Sequence, residues 1–142
     1  MSFRIRRLDH LVLRVRDPER MIAFYRDVLH CPLEKVQDRL GLWQLRAGDS
    51  LIDLVSVEGP LGRMGGAAPG AEGRTLDPLC LRIEPFDLSA LRAWLGGHGV
   101  EVGDVGLRYG AEGEGPSLYL QDPEGNTVEL KGPPGPMPAD AP

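Results

Sequence analysis

Two stretches of the chain carry the same alternation of apolar and polar positions. In Leu8-Asp9-His10-Leu11-Val12-Leu13-Arg14-Val15, a strand places Leu11, Leu13 and Val15 on one side and Leu8, His10 and Val12 on the other. Leu76-Asp77-Pro78-Leu79-Cys80-Leu81-Arg82-Ile83 matches it at five of eight positions, 68 residues further on. Both segments read as strands, and the chain therefore contains an internal repeat.

The residues after each strand repeat as well. Asp17-Pro18 supplies an N-cap and a proline at the first helical position, ahead of a helix with Ile22, Tyr25 and Leu29 on one face. Asp87 caps a second helix with Leu88, Leu91 and Leu95 at helical spacing and Trp94 beside them, ended by Gly96, Gly97 and Gly99. Short strands are predicted over Leu33 to Gln37, Leu42 to Arg46 and Leu51 to Val57, then over Val100 to Val105, Ser117 to Gln121 and Thr127 to Lys131. Asp122-Pro123-Glu124-Gly125 joins the last two as a hairpin, with proline preset for the first corner and glycine for a positive φ.

The predicted fold class is α+β: two paired βαβββ repeats forming curved mixed sheets around a cavity, each helix outside its sheet. One domain spans 1–131, with the first unit over 5–57, a Gly/Pro/Ala-rich connector or mobile loop over 58–75 and the second unit over 76–131. Residues 132–142, with five prolines, are expected to be a disordered tail.

Composition narrows the function classes. The 142 residues carry 16 Lys and Arg against 21 Asp and Glu, a net charge of −5, which argues against a nucleic-acid partner. No apolar run approaches the length of a membrane span and the first residues lack a secretory apolar stretch, so the expectation is a cytoplasmic protein with no membrane partner. Cys31 and Cys80 form no metal-knuckle spacing and read as reduced, buried thiols. Arginines crowd the first 26 residues, where they form a solvated face or draw a small anion.

The candidate chemistry lies on strands. If the first helix covers the leucine face, His10 points into the concavity, where an imidazole is either hydrogen-bonded in a core or offered to a ligand or metal. Asp53 shares its strand face with Leu51 and Val55, and a carboxylate on an apolar face needs a cation, a proton or water. Glu129 sits between polar face neighbours, Thr127 and Lys131, so a solvated edge also explains it, but it ends the second unit as Asp53 ends the first. Imidazole plus two carboxylates is a donor set for a divalent ion such as Ni, Co, Mn, Fe or Zn. Arg108 and Tyr109, in a glycine-rich loop, are candidates to contact an anionic substrate. Trp43 is a core aromatic or the wall of an apolar pocket, Trp94 a core aromatic, and His30 and His98 are helix-end residues.

The strand LDHLVLRV, the helix entry DPERMIAFYRDVL, the hairpin SLYLQDPEGNTVEL and the doubled βαβββ unit together resemble the vicinal-oxygen-chelate superfamily of glyoxalase I, extradiol dioxygenases and bleomycin-resistance proteins. Arg108-Tyr109-Gly110-Ala111 ahead of the hairpin is similar to the subgroup of glyoxalase-domain-containing protein 5 and bacterial virulence proteins. The resemblance implies metal ligands at His10, Asp53, Pro78 and Glu129, with Glu129 also shuttling the catalytic proton, and it implies a homodimer. Pro78 departs from the pattern: a proline has no side-chain donor, so the four-ligand centre of glyoxalase I is incomplete and a ligand of extradiol dioxygenases is missing.

These residues support more than one function. The first is a divalent-metal-dependent lyase or isomerase acting on a small substrate with vicinal oxygens. The alternatives are a metal-free small-molecule binding protein like those of bleomycin resistance, or a dioxygenase-type member of the same superfamily.

Overall fold

In the computed structural model, which describes residues 1–139, the chain divides into two compact units, Met1–Gly70 and Ala71–Pro142. The first contains β1 (His10–Val15), α1 (Pro18–Ala23), β2 (Leu33–Gln37), β3 (Leu42–Ala47), β4 (Ser50–Ser56) and a short α2 (Pro60–Arg63). The second contains β5 (Leu79–Arg82), α3 (Leu88–Gly97), β6 (Val105–Gly110), β7 (Gly113–Gln121) and β8 (Thr127–Lys131). Each unit is βαβββ with an open mixed sheet, in the orders β1-β4-β3-β2 and β5-β8-β7-β6, the first pair of each parallel and the others antiparallel.

In the first unit the leucine face of β1 is the covered one. Leu13, Val15, Leu45, Ile52 and Leu54 are buried with Met21, Phe24 and Tyr25, whereas Val12 on the other face is exposed. The Asp17 carboxylate accepts from the Arg20 N–H at 3.1 Å, as an N-cap should, and after Ala23 the helix widens into a π-helical turn over Phe24–Val28. The second unit packs the same way, with Leu79, Phe86, Leu88, Leu95, Leu118, Leu120, Val128 and Leu130 buried. There Asp87 accepts from the Ala90 N–H at 3.0 Å. The hairpin Asp122–Gly125 forms as its sequence requires: Gly125 sits at φ +84°, and Asp122 accepts from the Glu124 and Asn126 N–H groups at 3.0 Å.

Five expectations need correction. The strand placed over Val100 to Val105 lies at Val105–Gly110, because the register is set by a two-residue hairpin that pairs Gly110 with Gly113. Arg108 and Tyr109 are therefore strand residues of β6, not loop residues. Cys80 is exposed while Cys31 is buried, and Trp94 is 41% exposed, packed on the His98 ring at 4.3 Å rather than in the core. β5 begins only at Leu79, since Pro78 has no N–H to give a ladder.

The segment after β4 is tied down by one side chain. Arg14 donates to the carbonyl oxygens of Gly62, at 2.8 Å, Gly66, and Ala67, at 3.1 Å. At the other end of the chain, Gly132 and Gly135 donate to the Pro116 and Glu114 carbonyls of β7 at 2.8 and 2.9 Å. The rest of the predicted tail includes residues 140–142, which lie outside the described residues.

Candidate functional site

Strand pairing settles which positions of the two units correspond. Val12 lies opposite Asp53 in the β1–β4 ladder, and Cys80 lies opposite Glu129 in the β5–β8 ladder. His10 and Pro78 each stand two residues earlier, on the same face. Asp53 and Glu129 are thus equivalent positions, both on the face away from the helices and both buried, at 4% and 7% exposure.

In the first unit this face carries His10, Asp53 and Gln44. His10 is an exposed side chain, which excludes the core-histidine reading, and its Nδ1 lies 2.8 Å from Asp9 Oδ2. With Nδ1–H donated to Asp9, the neutral imidazole keeps its lone pair on Nε2, the arrangement found behind metal-bound histidines. The Asp9 hydrogen bond, helped by the Asp53 charge, raises the His10 pKa above the ordinary imidazole value. Both Asp53 oxygens accept from Gln44 Nε2 at 3.2 Å, and Gln37 Nε2 donates to Gln44 Oε1 at the same distance. A carboxylate accepts about four hydrogen bonds, so these two leave Asp53 with acceptor capacity.

In the second unit the face is more crowded. Glu129 Oε2 accepts from Ser117 Oγ at 2.8 Å and from Cys80 Sγ at 3.4 Å. Burial pushes the Glu129 pKa up, but hydrogen bonds from Tyr119, Ser117 and Cys80 and the Lys131 charge outweigh it, and the net shift is downward. Glu129 is accordingly an ionised carboxylate with most of its lone pairs engaged. Neither Ser117 nor Tyr119 was marked as a site residue by sequence reasoning; their alternation with the buried Leu118 and Leu120 was the available signal, since it places both on the Glu129 face.

The remaining candidates separate. Arg108 is on the Glu129 face, its guanidinium carbon 5.5 Å from the centre of the Tyr119 ring. Tyr109, next in the strand, points to the opposite side and is 85% exposed. Trp43 lies on the helix-covered side of the first sheet, where it lines an open cleft of about 430 Å³ with Ile22, Ala23, Leu33 and Val36, Glu19 and Arg26 at its edge. It is therefore on the other face of the sheet from Asp53. Among the described residues, no three His, Cys, Asp or Glu side chains stand together as a ready cage for an ion. Nor is any helix there long and apolar enough to cross a membrane.

The geometry has counterparts among known proteins. A model of the Glyoxalase/Bleomycin resistance protein/Dioxygenase superfamily matches residues 7–130. Among solved structures, an integron cassette protein from V. Pseudocholerae is 28% identical, with a TM-score of 0.76 over 95% of this chain and 100% of that one. A virulence protein from Salmonella typhimurium is 26% identical, with a TM-score of 0.75 over 93% and 100%. TnmS3, an antibiotic binding protein from Streptomyces sp. CB03234, is 25% identical, with a TM-score of 0.67 over 94% and 100%.

Proposed function

Because the chain belongs to the glyoxalase/bleomycin resistance protein/dioxygenase superfamily, we propose that it is a small-molecule protein of the glyoxalase type, with a divalent ion on His10 and Asp53, Glu129 as its proton-handling carboxylate, and lyase or isomerase activity. The observation that carries this reading is the Asp9–His10 pair. It orients the ring, leaves Nε2 as the donor atom, and does so on the strand face that holds a buried carboxylate with spare lone pairs. The donor set fits a borderline ion such as Ni, Co, Mn, Fe or Zn.

When bound, such an ion would polarise the vicinal oxygens of a substrate and acidify the neighbouring C–H. Hydrogen bonds from Tyr119, Ser117 and Cys80 hold Glu129 ionised, as a proton acceptor must be, and because Ser117 and Cys80 both donate to Oε2, a proton would go to Oε1. Gln44 and Gln37 hold the Asp53 carboxylate in one orientation. Arg108, on the Glu129 face, is the side chain placed to meet the substrate. Trp43 and Tyr109, each on the other face of its sheet, take no part in that contact.

Metal analysis of untagged protein, as purified and after reconstitution with Ni, Co, Mn, Fe or Zn, tests the reading alongside His10→Ala. One ion per chain, lost in the variant, and a thermal stabilisation by metal that disappears with it are the expected results. Equal metal content in both proteins, or none in either, overturns it.

A second reading is a metal-free binding protein. Pro78 favours it, because the position equivalent to His10 has no donor, and so does Glu129, whose lone pairs are largely taken and which has the Lys131 cation beside it. The antibiotic-binding relative TnmS3 is a precedent for such a role on this fold. The dioxygenase-type alternative loses a ligand at Pro78 and gains nothing from the geometry. We further propose a homodimer in the cytoplasm, for which light scattering is the test of assembly.

A further inference from the structure

The strands β6 and β7 carry glycine where a sheet normally carries side chains. On the Glu129 face, β6 reads Gly106, Arg108, Gly110, and Gly115 of β7 lies opposite Arg108. Glycine weakens a strand, and inside one it marks a place where something must approach closely. Here the structure shows what approaches. A Cβ on Gly106 would stand 2.6 Å from an Arg108 guanidinium nitrogen, and one on Gly110 would stand 2.6 Å from Lys131 Cε. Gly115 first makes room for the Pro133 carbonyl oxygen, 2.5 Å from the Cβ position, with Lys131 Nζ next at 3.2 Å. The two long cationic side chains thus lie along a bare stretch of sheet.

Lys131 is 6% exposed, an unusual degree of burial for a lysine. Its Nζ donates to the Arg108 carbonyl at 2.6 Å, which binds the two residues to one another. An ammonium has three N–H donors and a guanidinium five. The Lys131–Arg108 bond uses one ammonium donor, while the Leu107 carbonyl at 2.9 Å and the Tyr119 side chain each engage the Arg108 guanidinium. Arg82, the remaining cation of this face, is occupied by Glu112 at 2.8 Å. Against the single Glu129 carboxylate, Arg108 and Lys131 leave the face with one positive charge in excess.

We propose that Arg108 and Lys131 form an oxyanion receptor, the half of the ligand site that fixes a carboxylate, phosphate or phosphonate group of the small molecule. The receptor rests on the proposed function only in that this sheet face meets the ligand. It requires no metal. The glycines serve it by letting both cations lie flat, and the Tyr119 ring under the guanidinium holds Arg108 in place.

The probes are inorganic phosphate and acetate, titrated into the full chain in EDTA at constant ionic strength and followed by amide NMR, with metal content measured separately on untreated protein. Saturable shifts centred on Gly106, Arg108, Gly110 and Lys131 are expected with one or both probes, and which probe binds more tightly separates phosphorus oxyanions from carboxylates. Loss of one charge-assisted contact should weaken that binding about tenfold or more in Arg108→Gln and in Lys131→Met. Arg108 is exposed, so its variant keeps the test valid if the buried Lys131 variant fails to fold. Shifts that do not saturate, or that persist undiminished in Arg108→Gln, mean an adventitious ion only and overturn the receptor. Absence of probe binding while metal is retained removes the receptor and leaves the metal reading intact.

Discussion

Cys80 and Glu129 face one another across the β5–β8 ladder, with Cys80 Sγ donating to Glu129 Oε2 at 3.4 Å. The corresponding pair in the first unit is Val12 and Asp53, where the strand β1 partner has no donor to offer. The two carboxylates therefore differ in what surrounds them. Asp53 leans on a glutamine amide, whereas Glu129 collects a thiol, two hydroxyls and the field of a lysine.

The thiol side of that contact makes an unreactive cysteine. Desolvation by burial, the Glu129 charge and the hydrogen bond to it push the Cys80 thiol up to about 12. Alkylation at pH 8 requires the thiolate, so Cys80 should react with iodoacetamide far more slowly than a free thiol despite its exposure. Glu129→Gln removes the charge and should speed the reaction severalfold. Mass-spectrometric alkylation rates decide it, and a fast wild-type reaction would show that the thiol is not held on Glu129.

Ser117 has the larger energetic role at Glu129. A buried hydroxyl donating to an ionised carboxylate at 2.8 Å should cost about 1.5 to 3 kcal/mol when Ser117→Ala removes it. The folded-state pKa of Glu129 is lowered, so its contribution is present above the unfolded carboxylate value and is lost as pH falls through the folded value. Urea unfolding should show the full difference between wild type and variant at neutral pH and a narrowing difference in acid. A difference that does not change with pH would mean that the variant loses packing and not a charged hydrogen bond.

Much of this arrangement was legible in the chain. The 68-residue repeat made His10 and Pro78 equivalent positions of the two units, and the last-strand positions of Asp53 and Glu129 proved equivalent by register. Helix entries at Asp17 and Asp87 were readable because a cap is a local device. The β6 strand was not, because Gly106 and Gly110 break the apolar alternation that marks a strand, and they are needed there by Arg108 and Lys131, side chains near in space. Sequence periodicity reports local preference and has no access to a lysine arriving from β8. The exposure of Cys80 was missed because its burial was read from the absence of a metal-knuckle spacing, which says nothing of the strand face it occupies.

His10 should titrate above the ordinary imidazole range in metal-free protein, raised by its hydrogen bond to Asp9 and then by the Asp53 charge. A raised histidine stabilises the fold at pH below its unfolded value, and that contribution is lost as pH rises through the folded value. With three histidines in the chain, ring proton NMR resolves the titration directly. Asp9→Asn should bring His10 back toward the ordinary value. If His10 titrates normally in the wild type, Asp9 does not orient the ring, and the case for Nε2 as the donor atom fails with it.

Arg14 binds the segment after β4 to β1, and its loss should be felt far from its own strand. One half-buried guanidinium bonds the carbonyls of Gly62, at the end of α2, and of Gly66 and Ala67 beyond it, and a charge-assisted bond of this kind is worth about 1.5 to 3 kcal/mol when lost in a partly buried place, as at Gly62, and less at the exposed Gly66 and Ala67. Solvent takes over some of these bonds in a variant, so Arg14→Ala should destabilise by about 2 to 3 kcal/mol in total. Arg14→Lys should recover only part of it, since a single ammonium cannot span three carbonyls as a planar fork does. Limited proteolysis gives the more specific readout: cleavage between Gly65 and Thr75 should rise sharply in Arg14→Ala at temperatures where the rest of the chain stays folded. Cleavage that rises only together with global unfolding would mean that Arg14 supports the core of the unit and not the segment.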